Sequence, residues 1–307
     1  MKILVTGGAG FIGSHVVAHF QGIASEIRVL DNLRTGYLRN LEGLTHTFIA
    51  GSVTDRAVVR EAVAGVDYVF HLAALVSVPE SMTALDTCID INVTGLLNVL
   101  REAADAGVKK VVLASSAAVY GDSPIVPKVE TMTPEPKSPY AITKLDGEHY
   151  CELFQREGLV ATASLRFFNV FGPRQDPTGA YAAAVPIFIE RALAGQTITI
   201  YGDGEQTRDF IYVKDVVGAL VFAATHPDLH GAHNVGYGDQ ITIRALAERI
   251  VATADTAAPL VFGPQRAGDV RHSRAGVDKL RAAGWRPAHG LDDGIAATFA
   301  FFRGVTR

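Results

Sequence analysis

Several protein classes are marked by features that this sequence lacks. It has 2 cysteines, Cys88 and Cys151, with no metal-ligand spacing. A reducing cytosol fits that usage better than secretion. The 10 histidines are scattered without ligand spacing, so no metal is expected. There is no basic run, and the net charge is -4, so neither nucleic acid nor an anionic membrane is an expected partner. No apolar run approaches the roughly 18 residues of a membrane span. The stretch Met1 to Thr6 leads straight into glycines, with no apolar segment of signal-peptide length, so a cytoplasmic location is expected. Internal repeats and low-complexity tracts are absent too. What is present is a 307-residue chain, 48% hydrophobic and 20% charged, enough for a large core and one or two domains.

The glycines are the first positive signal. Lys2 to Thr6 has strand character, Gly7, Gly10 and Gly13 follow, and Phe11 to Phe20 carries apolar residues at helical spacing. Strand, glycine turn and helix form the context of a dinucleotide fingerprint. Glycines let the backbone approach a pyrophosphate, and the helix start offers oriented N–H groups. The next strand, Ile27 to Leu30, ends in Asp31-Asn32. An acid there can accept from an adenosine ribose and repel a 2′-phosphate, which favours NAD over NADP; Arg34 close by tempers that preference. Asp31 also fits a turn or cap residue. Further strands are expected at Thr47 to Ile49, Tyr68 to Leu72, Lys110 to Ser115 and Val160 to Phe167, with a long helix over about Asp86 to Ala106. This alternation predicts a parallel, doubly wound sheet with its ligands at the strands' carboxyl ends.

Tyr140-Ala141-Ile142-Thr143-Lys144 is the second signal. A spacing of four on a helix puts phenol and ammonium on one face. Ser138-Pro139 supplies a cap and first helical position. A phenol titrates near pH ~10. A neighbouring ammonium is expected to pull that value down, so that the phenol can exchange protons with a sugar hydroxyl. The pentapeptide alone also fits a surface i,i+4 pair, and Ser115-Ser116 alone fits two hydroxyls capping a turn.

Taken together, Thr6 to Gly13, Asp31-Asn32, His71-Leu72-Ala73-Ala74, Asn92, Ser115 to Gly121 and Tyr140-x-x-x-Lys144 resemble the extended short-chain dehydrogenase/reductase superfamily. Within it the chain is most similar to the UDP-galactose and UDP-N-acetylglucosamine 4-epimerases. The resemblance implies an α/β fold: a Rossmann-type domain over 1–167 with a return segment near 211–235, and a smaller, discontinuous nucleotide-sugar domain over 168–307. It implies a catalytic Ser116, Tyr140 and Lys144, with Tyr140 shuttling the proton, Lys144 lowering its pKa and holding the nicotinamide ribose, and Ser116 bonding the reacting hydroxyl. NAD contacts are implied at Gly7, Gly10, Phe11 and Ile12 on the turn, and at Asp31, Asn32, Gly36, Ser52 and Val53 toward adenosine. Leu72, Ala73, Ala74, Asn92, Ser115 and Phe167 complete that set together with Tyr140 and Lys144. Ser52 departs from the family's usual Asp, so weaker adenine anchoring is expected.

For the substrate, the resemblance implies contacts from Ser77, Ser116, Asn169, Val185, Arg208, Arg266, Asp269 and Ser273. The two arginines suit a diphosphate, because a guanidinium fork pairs bidentately with phosphate oxygens. Ser273 stands where relatives that exclude N-acetyl sugars carry tyrosine, which points to UDP-GlcNAc/UDP-GalNAc beside UDP-Glc/UDP-Gal. Ala117-Ala118 stands where dehydratases carry Asp-Glu and decarboxylases carry a second-position Glu; methyl groups cannot protonate a leaving hydroxyl. The implied reaction is redox-neutral and runs through a 4-keto sugar with NAD kept bound. A UDP-glucuronate 4-epimerase, a dehydratase or decarboxylase, a reductase that releases its cofactor and a non-catalytic NAD-sensing binder are the alternatives. Relatives also imply a homodimer formed through the helices near Asp86–Ala106 and Pro139–Glu157.

Overall fold

The computed structural model describes residues 1–178, 183–265 and 270–305. Its first half alternates strand and helix: β1 (Lys2–Thr6), α1 (Phe11–His19), β2 (Glu26–Asp31), β3 (Thr47–Ala50), α2 (Arg56–Val63) and β4 (Tyr68–His71). Then come α3 (Val78–Thr83), α4 (Leu85–Ile89), α5 (Gly95–Asp105), β5 (Lys110–Ser116), α6 (Pro139–Arg156) and β6 (Ala161–Phe167). β1 to β6 pair in parallel, and a seventh strand, Gly231–Val235, flanks β6. The order β3-β2-β1-β4-β5-β6 reverses direction between β1 and β4, the switch point at which doubly wound sheets bind ligands.

The strand sequences explain the sheet. Ile3, Leu4, Val5, Val111 and Val112 are fully buried, the near-continuous apolar run of strands covered on both faces. In α5, Leu96, Val99, Leu100 and Ala103 recur at helical spacing and pack with Val59, Ala62 and Val63 of α2 in one core cluster. Asp55 caps α2 by accepting from the Ala57 N–H at 2.9 Å.

The helix expected over Asp86 to Ala106 is interrupted. Between α4 and α5 lies one π-helical turn, Asp90–Thr94. Asn92 sits in it and spends its amide on the chain that leaves β4. Its Oδ1 accepts from the Leu75 N–H at 2.8 Å, and its Nδ2 donates to the Leu75 carbonyl at 3.1 Å and to Thr143 Oγ1 at 3.0 Å. Widened turns of this kind recur at functional sites.

By its contacts the chain divides into two units. The first comprises Met1–Val119, Pro134–Phe167 and Val217–His233. Within it the buried Lys110 donates to the His226 carbonyl at 2.8 Å, tying the return segment to β5.

The second unit comprises Tyr120–Thr133, Phe168–Val216 and Asn234–Arg307. Tyr120–Thr133, expected with the cofactor domain, falls here instead. The Lys128 N–H donates to the Arg274 carbonyl at 2.8 Å, and Asn234 Nδ2 donates to the Lys128 carbonyl at 2.9 Å. The return segment is also shorter than expected at its start, because Phe210–Tyr212 pairs in parallel with Asn169–Phe171 in this unit.

Asp209 is the hub of the second unit. It is fully buried and accepts from the N–H groups of Tyr237 at 2.8 Å, Gly238 at 3.0 Å and Ala275 at 2.9 Å. Burial nevertheless pushes its carboxyl up to about 6 against those three donors.

Candidate active site

Three of the glycines are required by geometry. Gly7 has a positive φ of 70°, and a Cβ there would meet the Ala73 nitrogen at 2.8 Å. A Cβ on Gly13 would overlap the Gly7 carbonyl oxygen and approach Gly8 Cα to 2.7 Å. Gly36 is held against Ala9, whose carbonyl a Cβ would meet at 2.9 Å. The resulting turn delivers the start of α1, where Gly10 is the N-cap and no side chain caps the first N–H groups, at the positive end of the helix.

Asp31, at the end of β2, knits this turn together. Its carboxylate accepts from the Ala9 N–H at 2.9 Å and the Leu33 N–H at 2.8 Å. Asn32 caps the Arg34 N–H at 3.2 Å, and the Arg34 guanidinium pairs with Glu80 at 2.5 Å. That pairing occupies the cation that tempered the preference for NAD.

Along the same strand ends, the Leu72 N–H donates to the Thr6 carbonyl at 3.1 Å. Thr6 Oγ1 accepts from the Ala73 N–H at 3.3 Å and lies 2.9 Å from His71 Nδ1. Burial and the nearby Lys144 push His71 down to about 3, so it stays neutral. Ala74 and Phe167 are half-buried, Phe167 as the register partner of Ser116.

Four of the residues expected at the ligands also hold the chain around them. The Ser52 hydroxyl is 2.8 Å from Thr54 Oγ1 and accepts from the Thr54 N–H at 3.2 Å, so it shapes the turn into α2. Val53 is buried, and its carbonyl accepts from Asn98 Nδ2 at 3.0 Å. Ser77, expected on the substrate, caps α3 by accepting from the Glu80 N–H at 3.2 Å. Ser115, expected on the cofactor, donates to Glu148 Oε1 at 2.5 Å. Asn92 is likewise spent on Leu75 and Thr143, as the fold requires.

Ser116, Tyr140 and Lys144 do converge. Ser138 caps α6 by accepting from the Ala141 N–H at 3.2 Å, Pro139 takes the first helical position, and the Tyr140 N–H donates to Ser81 Oγ at 3.2 Å. Tyr140 and Lys144 share a face, the ammonium lying 5.8 Å from the ring centroid. Ser116 Oγ accepts from the Ala118 N–H at 3.1 Å and lies near enough to the Tyr140 phenol to pull its pKa down.

The expected lowering of the phenol does not hold in the free protein. Burial raises Tyr140 above its ordinary value, against the downward pull of Ser116. Lys144 donates instead to the Ala114 carbonyl at 2.7 Å, and burial lowers its ammonium to about 8. Desolvation thus shifts the phenol up and the ammonium down, in opposite directions, with no direct ion pair between them.

The second unit carries a pocket of about 280 Å³ lined by Asn169, Val185, Phe188, Arg208, Phe210 and Ile243, among others. Asn169 donates its side-chain amide to the Asp209 carbonyl at 3.0 Å, and Arg208 Nη1 donates to the Thr207 carbonyl at 2.8 Å. Ser273 is half-buried, its N–H donating to the Thr207 carbonyl at 3.1 Å. Asp209, which fixes the backbone between Arg208 and Phe210, was missed from sequence; its place beside Arg208 was the signal. Arg266 and Asp269 lie outside the described residues.

The switch-point sheet, the glycine turn where no Cβ fits and the tyrosine–lysine face define an NAD-binding α/β enzyme, and the acid at the end of β2 suits that cofactor. The chain belongs to the NAD dependent epimerase/dehydratase family, whose match spans residues 3–236. It is 38% identical to the UDP-glucose 4-epimerase of Mycolicibacterium smegmatis over 99% of both chains. Among solved structures, it is similar to the UDP-N-acetylglucosamine 4-epimerase of Methanobrevibacter ruminantium in complex with UDP-N-acetylmuramic acid. That match has a TM-score of 0.95 and 37% identity and covers 99% of this chain and 98% of the other. It is equally similar to the UDP-glucose 4-epimerase of Thermotoga maritima with UDP-glucose, at a TM-score of 0.95 and 38% identity over 100% of both chains.

Proposed function

We propose that this chain is a UDP-hexose 4-epimerase, interconverting UDP-Glc with UDP-Gal and UDP-GlcNAc with UDP-GalNAc through a 4-keto sugar. The observation that carries the reading is the run of groups at the end of β5: Ser116 beside Tyr140, then Ala117 and Ala118 where an eliminating enzyme needs an acid. Tyr140 takes the proton of the C4 hydroxyl and returns it to either face, with Ser116 orienting that hydroxyl. Lys144 is the cation whose field favours the phenolate. Bound NAD supplies an acceptor and donor of hydride at C4. The glycine turn with Gly10, Phe11 and Ile12 would hold its pyrophosphate, and Asp31 its adenosine ribose. Asn169, Val185 and Arg208 would hold the nucleotide end of the substrate while the sugar turns over. The test is NMR of the products after separate incubation with UDP-Glc, UDP-GlcNAc and UDP-GlcA. Inversion of the first two supports the reading; loss of carbon dioxide from the third, without inversion, would replace it with a decarboxylase.

Ser273 belongs to the same proposal as the residue that admits an N-acetyl group. Ser273→Tyr should abolish turnover of UDP-GlcNAc and spare UDP-galactose; equal loss of both activities would remove the gate. The proposal also includes a cytoplasmic homodimer. Leu85, Ile89, Ile142 and Leu153 on α4 and α6 are each at least 40% exposed, an apolar set that a second copy would cover. A single-chain mass by light scattering would exclude the dimer.

A further inference from the structure

Three successive residues of β5 hold three successive turns of α6. Ala114 accepts from Lys144 at 2.7 Å, Ser115 donates to Glu148 at 2.5 Å, and Ser116 lies beside Tyr140. Glu148 lies one turn beyond Lys144, and both side chains are more than nine-tenths buried. Arg166, the register partner of Ser115 on β6, is buried behind Glu148 and forks onto it, Nε at 2.9 Å from Oε1 and Nη2 at 2.7 Å from Oε2. A charge pair buried this deeply carries a heavy desolvation penalty, and an apolar pair of similar size would serve the core as well or better. Its position suggests another use. We propose that Glu148, backed by Arg166, is a positioning residue that keeps Lys144 cationic and seated against β5 during the epimerisation proposed above.

The groups that face Lys144 make Glu148 decisive. On α6 they are Tyr140, Glu148 and Cys151; on α4, Cys88; on β4, His71; and on β6, Arg166 behind Glu148. Burial raises both thiols, Cys151 to about 12, and holds His71 neutral, so these groups carry no charge near neutral pH. Glu148 is then the one anion among the described groups facing Lys144. Burial lowers the ammonium, and Glu148 raises it again.

The sign of the test follows. Lys144 is cationic below its pKa, so removing the anion moves its loss of charge to lower pH. In Glu148→Gln the alkaline limb of kcat/KM should move down by about one pH unit, with about a fivefold loss at pH 8 that approaches tenfold at higher pH. A readout independent of activity is the titration of the Lys144 side chain by 13C NMR of lysine-labelled protein, with Lys144→Met assigning the resonance. It should fall by the same amount. Because Glu148→Gln leaves Arg166 buried and unpaired, and so adds a like charge near Lys144, the double variant Glu148→Leu with Arg166→Leu is measured beside it, and a smaller downward shift is expected there. A double variant that cannot fold, or that folds with the wild-type titration, assigns the pair to the core alone and overturns the proposal. Wild-type protein that inverts no UDP-sugar would instead overturn the epimerase reading, while the NMR titration still decides the role of Glu148.

Discussion

Tyr140→Phe should slow UDP-hexose inversion by about 10²- to 10⁴-fold, the range a positioned acid–base group supplies, with fold and NAD content unchanged. The ring packs as before, so only the proton route is lost. Ser116 is a poor substitute, because its oxygen already accepts from the Ala118 N–H. Lys144 is another, since its ammonium is directed at the Ala114 carbonyl. The check is progress of UDP-galactose to UDP-glucose at matched cofactor occupancy, read beside the absorbance of bound NAD.

The second large effect is structural. Gly13→Val should yield protein without bound NAD and with at least a roughly 10²-fold loss of activity, since a misplacement of about 1 Å is enough for that. The three atoms nearest to a Cβ at Gly13 are all backbone: the Gly7 carbonyl oxygen and carbon and Gly8 Cα. No side chain can swing aside, so the turn itself must open, and Gly7 is pinned by its N–H to the Leu30 carbonyl at 2.8 Å. Cofactor content of the purified variant, measured after denaturation and compared with wild type, is the readout.

Much of the sheet was legible because its signals are local. The strand bounds of Lys2–Thr6 and the cap-and-proline start of α6 are written in a few adjacent residues, and burial on both faces leaves long apolar runs. The convergence of Ser116, Tyr140 and Lys144 followed from the strand-end rule once strands and helices alternated. What escaped was side-chain commitment at long range. Nothing near Asn92 announces that its amide will staple Leu75 to Thr143, and nothing near Ser115 announces a carboxylate 33 positions away. The phenol's direction was misjudged for a related reason. A spacing of four shows which groups are neighbours, but burial of both groups and the Ala114 carbonyl decide where the ammonium points.

The central claim is that stereochemistry at C4 is inverted by taking a hydride from C4 and a proton from its hydroxyl and returning both within the same site. Incubation of the enzyme with UDP-glucose carrying deuterium at sugar carbon C4, in ordinary water, tests it most directly. The account predicts UDP-galactose with the deuterium still on C4, by NMR and mass spectrometry of the product. Deuterium lost to solvent, or a product altered at any other carbon, would contradict it.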